Sequence, residues 1–188
     1  TCAAPGGKSL HIASKYFNST LISCDKYIHK LKLIEDNKEK LDITNIQVKE
    51  QDATVNNDSF IENFDIVVCD VPCSGIGVIK NKPEIKYKIT NAYIEDIAKL
   101  QYQILENSKN YVKQGGTLMY STCTIDKREN IKNIEKFLKE NKDFSLENIT
   151  LNNSIVKSRE NGVLVILPDE YSCDGFFIAK LKKMEAKC

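Results

Sequence analysis

The chain has 188 residues, 41% hydrophobic and 28% charged, the profile of a globular domain with enough apolar surface for one sizeable core. Its 27 basic and 26 acidic side chains leave a net charge of +1, which excludes a polybasic nucleic-acid binder of the histone kind but leaves room for a local basic patch. No apolar run approaches the ~20 residues that a membrane helix needs. Seven widely spaced cysteines with only two histidines speak against both a disulfide scaffold and a zinc site. The expectation is a reduced, cytoplasmic, monomeric protein with no metal and no membrane association.

Residues 8–17 follow a Gly-Gly turn and read as a helix. Residues 21–24 form a short strand ending at Asp25, and residues 26–40 carry Ile28, Leu31 and Ile34 at helical spacing. Residues 46–48 are a strand, followed by a polar loop with Asp52. Residues 64–69 are the strongest strand signal, a nearly continuous apolar run that suits a central parallel strand buried on both faces. A loop rich in glycine and proline then leads to a long helix over residues 92–112. Gly115-Gly116 separates that helix from a strand at 117–120. Asp126 and Glu129 have capping-box spacing for a helix running through Leu138, with Ile131, Ile134, Phe137 and Leu138 as its apolar stripe. Residues 141–161 are polar and carry no clear pattern, and 163–167 and 176–181 read as an antiparallel strand pair.

This alternation predicts an α/β fold with a mostly parallel sheet and an antiparallel C-terminal strand. A doubly wound domain normally begins with a strand that feeds its Gly-rich loop. Here only Thr1 to Ala4 precede the Pro5-Gly6-Gly7 turn, so the first strand is expected to be missing.

Three features carry chemistry. The Pro5-Gly6-Gly7-Lys8-Ser9 turn lets backbone amides approach a ligand at a helix start. A P-loop would need glycine where Cys2 stands; a nucleoside-cofactor loop needs an acid about 20 residues on, and Asp25 fits. Asp25, Asp52 and Asp70 each follow an apolar strand, along the edge where open α/β sheets bind ligands, although carboxylates also cap helices there. Finally, Asp70-Val71-Pro72-Cys73-Ser74-Gly75 and Tyr120-Ser121-Thr122-Cys123-Thr124 each put a thiol just past a strand. A single such cysteine reads as a small buried hydrophobe; two on one edge read as a pair available for nucleophilic chemistry.

In order, Cys2-Ala3-Ala4-Pro5-Gly6-Gly7-Lys8, Asp70-Val71-Pro72-Cys73-Ser74-Gly75 and Ser121-Thr122-Cys123-Thr124 resemble the signature motifs of the RNA cytosine-5 methyltransferases of the RsmB/Sun (Fmu, NOL/NOP) family, whose bacterial members act on 16S ribosomal RNA. Asp174 to Lys180 resembles that family's last strand. The segments 77–80 and 83–86 resemble its substrate-facing loop, where relatives usually carry arginines. The likeness covers nearly the whole chain.

The resemblance implies a class I, Rossmann-like fold and a single catalytic domain over 1–188, truncated within its first cofactor motif. A family-type N-terminal RNA-binding region would then be missing. It implies S-adenosylmethionine as cofactor, cradled by Cys2, Ala3, Ala4, Pro5, Gly6, Gly7 and Lys8, with Asp25 on the ribose, Asp52 near the adenine and Asp70 between cofactor and base. It further implies Cys123 as nucleophile toward C6 of the cytosine, Cys73 as helper in product release, and 5-methylcytosine in ribosomal RNA as product. The basic stretch Lys80, Lys82, Lys86 and Lys88, with Tyr87 for stacking, is the expected RNA contact; a solvated charge run is its bland alternative. Cys24, Cys69, Cys173 and Cys188 are expected to be structural or incidental. A P-loop nucleotide-binding protein and a non-catalytic RNA-binding domain are the rival readings.

Overall fold

The structure is a computed structural model that describes residues 1–150 and 162–185. Cys188 and the 151–161 part of the unpatterned polar segment lie outside the described residues. The chain divides into two compact units, Thr1–Asn56 and Asn57–Cys188.

The first unit contains α1 (Gly7–Lys15), β1 (Leu21–Asp25), α2 (Ile28–Lys40) and β2 (Ile46–Glu50). The strands run parallel, from Leu21 opposite Ile46 to Asp25 opposite Glu50; parallel neighbours need a crossover, and α2 is that crossover. Leu10 and Ala13 of α1 pack with Ile34, Ile43 and Ile46, with Ala3 and Ala4 against them. The Asn45 amide donates to the carbonyls of Ala13, Tyr16 and Ser19, which ties the end of α1 and the turn after it to the start of β2. Ile28 departs from the expected stripe: it is 66% exposed while Ile34 is fully buried. Six residues at about 100° each place Ile28 roughly 120° around the helix from Ile34, off the core face.

The second unit contains β3 (Phe64–Asp70), α3 (Asn91–Ser108), β4 (Val112–Thr122), α4 (Ile131–Glu140), β5 (Phe144–Leu146), β6 (Val163–Ile166), the short α5 (Pro168–Tyr171) and β7 (Phe176–Lys183). Its sheet has the order β3-β4-β7-β5, with β6 also on β7. β3 and β4 are parallel, and every antiparallel pairing involves β7. The expected C-terminal pair is β6 with β7. Leu105, Leu118, Tyr120, Ile134, Phe137 and Leu181 are fully buried between the sheet and its helices.

Three expectations need correction here. β3 is not buried along its length: Ile66 is 64% exposed and only the Val67–Cys69 end turns into the core. The helix predicted to Val112 stops at Ser108, a tight turn at Lys109–Tyr111 follows, and the strand starts at Val112. Gly115-Gly116 therefore lies inside β4, where the register jumps from Phe64 opposite Val112 to Ile66 opposite Thr117. Gly115, at φ +69°, supplies the left-handed residue that such a bulge favours. Finally, Asp126 and Glu129 form no capping box. Asp126 accepts from the Arg128 amide and guanidinium, a pairing that lowers its carboxyl pKa. α4 begins later, after Asn130, and Glu129 turns inward.

Candidate active site

Because β3 and β4 are parallel, their carboxyl ends share one edge, with Asp70 opposite Ser121. The Ser121 hydroxyl donates to Asp70 Oδ1 at 2.7 Å, and the Val71 amide donates to the Ser121 carbonyl. This stitching carries both chains past the sheet in step. Just beyond it, Cys73 Sγ and Cys123 Sγ lie 2.7 Å apart, and the Cys123 amide donates to Cys73 Sγ at 3.3 Å. Both residues are half-buried. The Cys73 thiol is pushed well above the ordinary thiol range, first by its hydrogen bond to Cys123 and then by burial. It keeps its proton through neutral pH.

The turn carrying Cys123 is held from below by Asn130. Its amide donates to the Thr124 carbonyl at 2.9 Å and its oxygen accepts from the Thr122 hydroxyl at 2.6 Å, so both neighbours of Cys123 are fixed by one buried side chain. Above it, the Gly77 amide donates to the Cys123 carbonyl and the Gly77 carbonyl accepts from Gly175 at 2.7 Å. A Cβ on Gly77 would stand 2.2 Å from the Gly175 oxygen. Gly77→Ala is therefore expected to lower stability by about 1–3 kcal/mol, as overpacking does, in a urea-unfolding comparison with the unaltered chain.

Lys80, Lys82, Lys86, Tyr87 and Lys88 follow on this loop and are all exposed. Tyr87 is 80% exposed, with the Lys86 ammonium 4.8 Å from its ring centroid. The Asn81 amide ties the loop to Asp174.

The Gly-rich turn and its acids lie in the first unit. Gly6 adopts φ +101°, and a Cβ there would press on Ile34 at 3.1 Å; both facts call for glycine. Gly6 precedes α1 without any side-chain cap. The buried Asp25 accepts from Ala4 N at Oδ2 and from Tyr27 N at Oδ1, each at 3.2 Å; a carboxylate oxygen can accept a second donor. A Cβ on Gly7 would meet nothing within 4 Å, so the turn has an open side. Asp52 stands just beyond β2, on the edge where β1 ends at Asp25. Its carboxyl is lowered to about 2 by Lys26, which pairs at 2.7 Å, and by the Thr54 hydroxyl and amide.

The family description "16S rRNA methyltransferase RsmB/F" matches residues 1–182. The chain belongs to the RsmB/F family. It is 42% identical over 97% of its length to the "Probable ribosomal RNA small subunit methyltransferase B" of Bacillus subtilis, covering 42% of that protein. It is 31% identical over 98% of its length to the "Ribosomal RNA small subunit methyltransferase F" of Escherichia coli O157:H7, covering 39%. The chain thus spans about two fifths of the length of the curated relatives it matches. Among solved structures, NSun6 from Pyrococcus horikoshii "with SFG" superposes at a TM-score of 0.84, with 31% identity over 98% of this chain and 47% of that one. The Rossmann-like α/β fold expected from the sequence is the fold that the chain shares with this neighbour.

Sequence reasoning about this RsmB/F chain missed Glu129 and Gln101, both fully buried polar residues. Gln101 donates to the Pro72 carbonyl at 2.8 Å and to Glu129 at 2.9 Å. A signal for Gln101 was present: it stands at helical spacing between Ile94, Ile97 and Leu105, where an apolar residue is the norm. The signal for Glu129 was misread as a helix cap.

Proposed function

We propose that the protein transfers a methyl group from S-adenosylmethionine to C5 of a cytosine in RNA, with 16S ribosomal RNA as the substrate. The 2.7 Å approach of Cys73 and Cys123 at one sheet edge carries this reading, because cytosine C5 becomes nucleophilic only after a thiolate adds to C6. The RsmB/F match and the "with SFG" neighbour support it. Cys2 at the position where a P-loop requires glycine speaks against the nucleotide-binding rival.

Cys2 to Lys8 would cradle the cofactor, with Asp25 for its ribose hydroxyls, Asp52 for its adenine and Asp70 between cofactor and base. Bound S-adenosylmethionine supplies an electrophilic sulfonium methyl group. The thiolate of the pair forms on Cys123, whose Ser121-Thr122-Cys123-Thr124 turn resembles the family's nucleophile motif. Cys123 Sγ bonds to cytosine C6 as the C5–C6 π pair moves onto C5, and that pair takes the methyl as its bond to the sulfonium sulfur breaks, leaving the neutral thioether S-adenosylhomocysteine. Solvent then takes the C5 proton, the electron pair of that C–H bond re-forms the C5–C6 double bond, and the Cys123 thiolate is expelled. Cys73, in hydrogen-bond contact with the departing sulfur, assists that expulsion. Asp70 accepts from the protonated edge of the ring and stabilises the charge that develops there. The target cytosine is unpaired or flipped, and Lys80, Lys82, Lys86 and Lys88 meet the RNA backbone, with Tyr87 against a base.

RNA containing 5-fluorocytosine tests the chemistry, because fluorine at C5 blocks the final elimination. The expected result is a stable protein–RNA adduct mapped by mass spectrometry to Cys123. A methyl group found on an exocyclic nitrogen or a ribose, with no adduct, overturns it. For the cofactor, calorimetric titration should show binding of S-adenosylhomocysteine, weakened roughly tenfold or more by Asp25→Ala, as expected for a lost hydrogen bond to a charged group. ATP should give no heat; selective ATP binding restores the P-loop reading.

A further inference from the structure

Glu129 has no part in the chemistry above, yet it lies beneath it. Its carboxylate is fully buried and meets both thiol-bearing turns. Oε2 accepts from the Ser74 amide at 2.8 Å and from Gln101 Nε2 at 2.9 Å. Oε1 accepts from the Ser74 hydroxyl at 2.5 Å and from the Thr124 hydroxyl at 3.2 Å. Those two hydroxyls also touch each other at 2.9 Å. Ser74 directly follows Cys73, and Thr124 directly follows Cys123.

The burial of this group is costly in the absence of partners, and every partner it has belongs to the catalytic edge or to the α3 residue that also holds Pro72. The Tyr120 hydroxyl, at 2.5 Å from the Glu129 carbonyl and 3.2 Å from Gln101 Oε1, closes the network beneath β4. A cap for α4 would have used the same residue at the surface; here it faces the opposite way.

We infer that Glu129 is a positioning residue: by binding Ser74 and Thr124 with one carboxylate, it sets the distance between the Cys73 and Cys123 sulfurs. This rests on the proposed two-thiol chemistry for its functional meaning, but the sulfur spacing is measurable without RNA.

Two substitutions separate position from charge. In Glu129→Gln the amide oxygen still accepts from Ser74 N and Gln101. The new NH2 group faces two hydroxyls, which rotate to accept from it. Glu129→Ala removes the one acceptor that the Ser74 amide, the Ser74 and Thr124 hydroxyls and Gln101 share. Thr124→Val keeps the side-chain shape and cuts the tie to the Cys123 turn, which keeps the question open if Glu129→Ala fails to fold.

The full chain is treated with diamide, which takes up the two electrons and two protons released when Cys73 and Cys123 join as a disulfide. Linked peptides are then quantified over time, and kcat and KM for RNA methylation are measured in parallel. Glu129→Ala is expected to slow both disulfide formation and kcat about 100-fold, the scale of a 1 Å misplacement, with KM for RNA little changed. Thr124→Val should slow both about tenfold, and Glu129→Gln only a few-fold. Disulfide formation at the unaltered rate in Glu129→Ala and Thr124→Val overturns the inference. So does a Glu129→Gln defect as large as that of Glu129→Ala, which would mean that charge matters and spacing does not. If instead Cys123 proves dispensable for methylation while the linking rates follow the expected order, the proposed chemistry fails and the spacing role stands.

Discussion

Cys123→Ser is expected to abolish methyl transfer, by on the order of 10⁴-fold or more in kcat, the scale on which loss of a covalent nucleophile is felt. A serine hydroxyl at this place is far weaker as a nucleophile at neutral pH. The fold should survive, because the turn is held by main-chain and neighbouring side-chain bonds: Asn130 to Thr122 and Thr124, and Gly77 to the Cys123 carbonyl. Tritium transfer from labelled cofactor to RNA, with thermal unfolding alongside, gives the answer. Full activity in a normally folded variant would remove Cys123 as the nucleophile.

Cys73→Ser should behave in the opposite sense. With Cys123 intact, addition to C6 and methylation at C5 proceed, but the group that assists expulsion is lost. The expected result is a covalent protein–RNA complex that migrates slowly under denaturing conditions and carries about one methyl per protein, with turnover falling by about 10²–10⁴-fold, the range for loss of a proton-transfer group. The place of each thiol in its motif is the ground for the assignment: Cys123 stands in the Ser121-Thr122-Cys123-Thr124 turn that resembles the family's nucleophile motif, and Cys73 stands in the Asp70-Val71-Pro72-Cys73 turn beside it. An adduct that requires Cys73 and forms without Cys123 would reverse the roles.

Much of the site was legible because its parts are local in the chain. Asp70 and Cys73 sit three residues apart, and strand, thiol and turn follow one another again from Tyr120 to Thr124. A strand followed by a polar turn is a short-range pattern, so its chemistry could be read without coordinates. The same holds for the Gly6-Gly7 turn with Asp25 at the next strand end, and for the parallel pairs β1–β2 and β3–β4, which alternation with helices implies. Errors arose where one local signal had two tertiary meanings. Asp126 and Glu129 have the spacing of a cap, yet Glu129 found better-matched donors in Ser74, Gln101 and Thr124. Gly115-Gly116 has the composition of a turn, yet pairing with β3 on both sides carries β4 through it as a bulge.

By itself, then, the sequence determined which residue types stand at which strand ends, because hydrophobic period and turn chemistry act over a few residues. It determined the family as well, through three ordered motifs. Only the tertiary structure decided that residues 50 positions apart, Cys73 and Cys123, come to 2.7 Å, and that one buried carboxylate joins the turns behind them. Those facts follow from the register of β3 on β4 and from the need of a buried charge for donors. Both are set by contacts between distant segments.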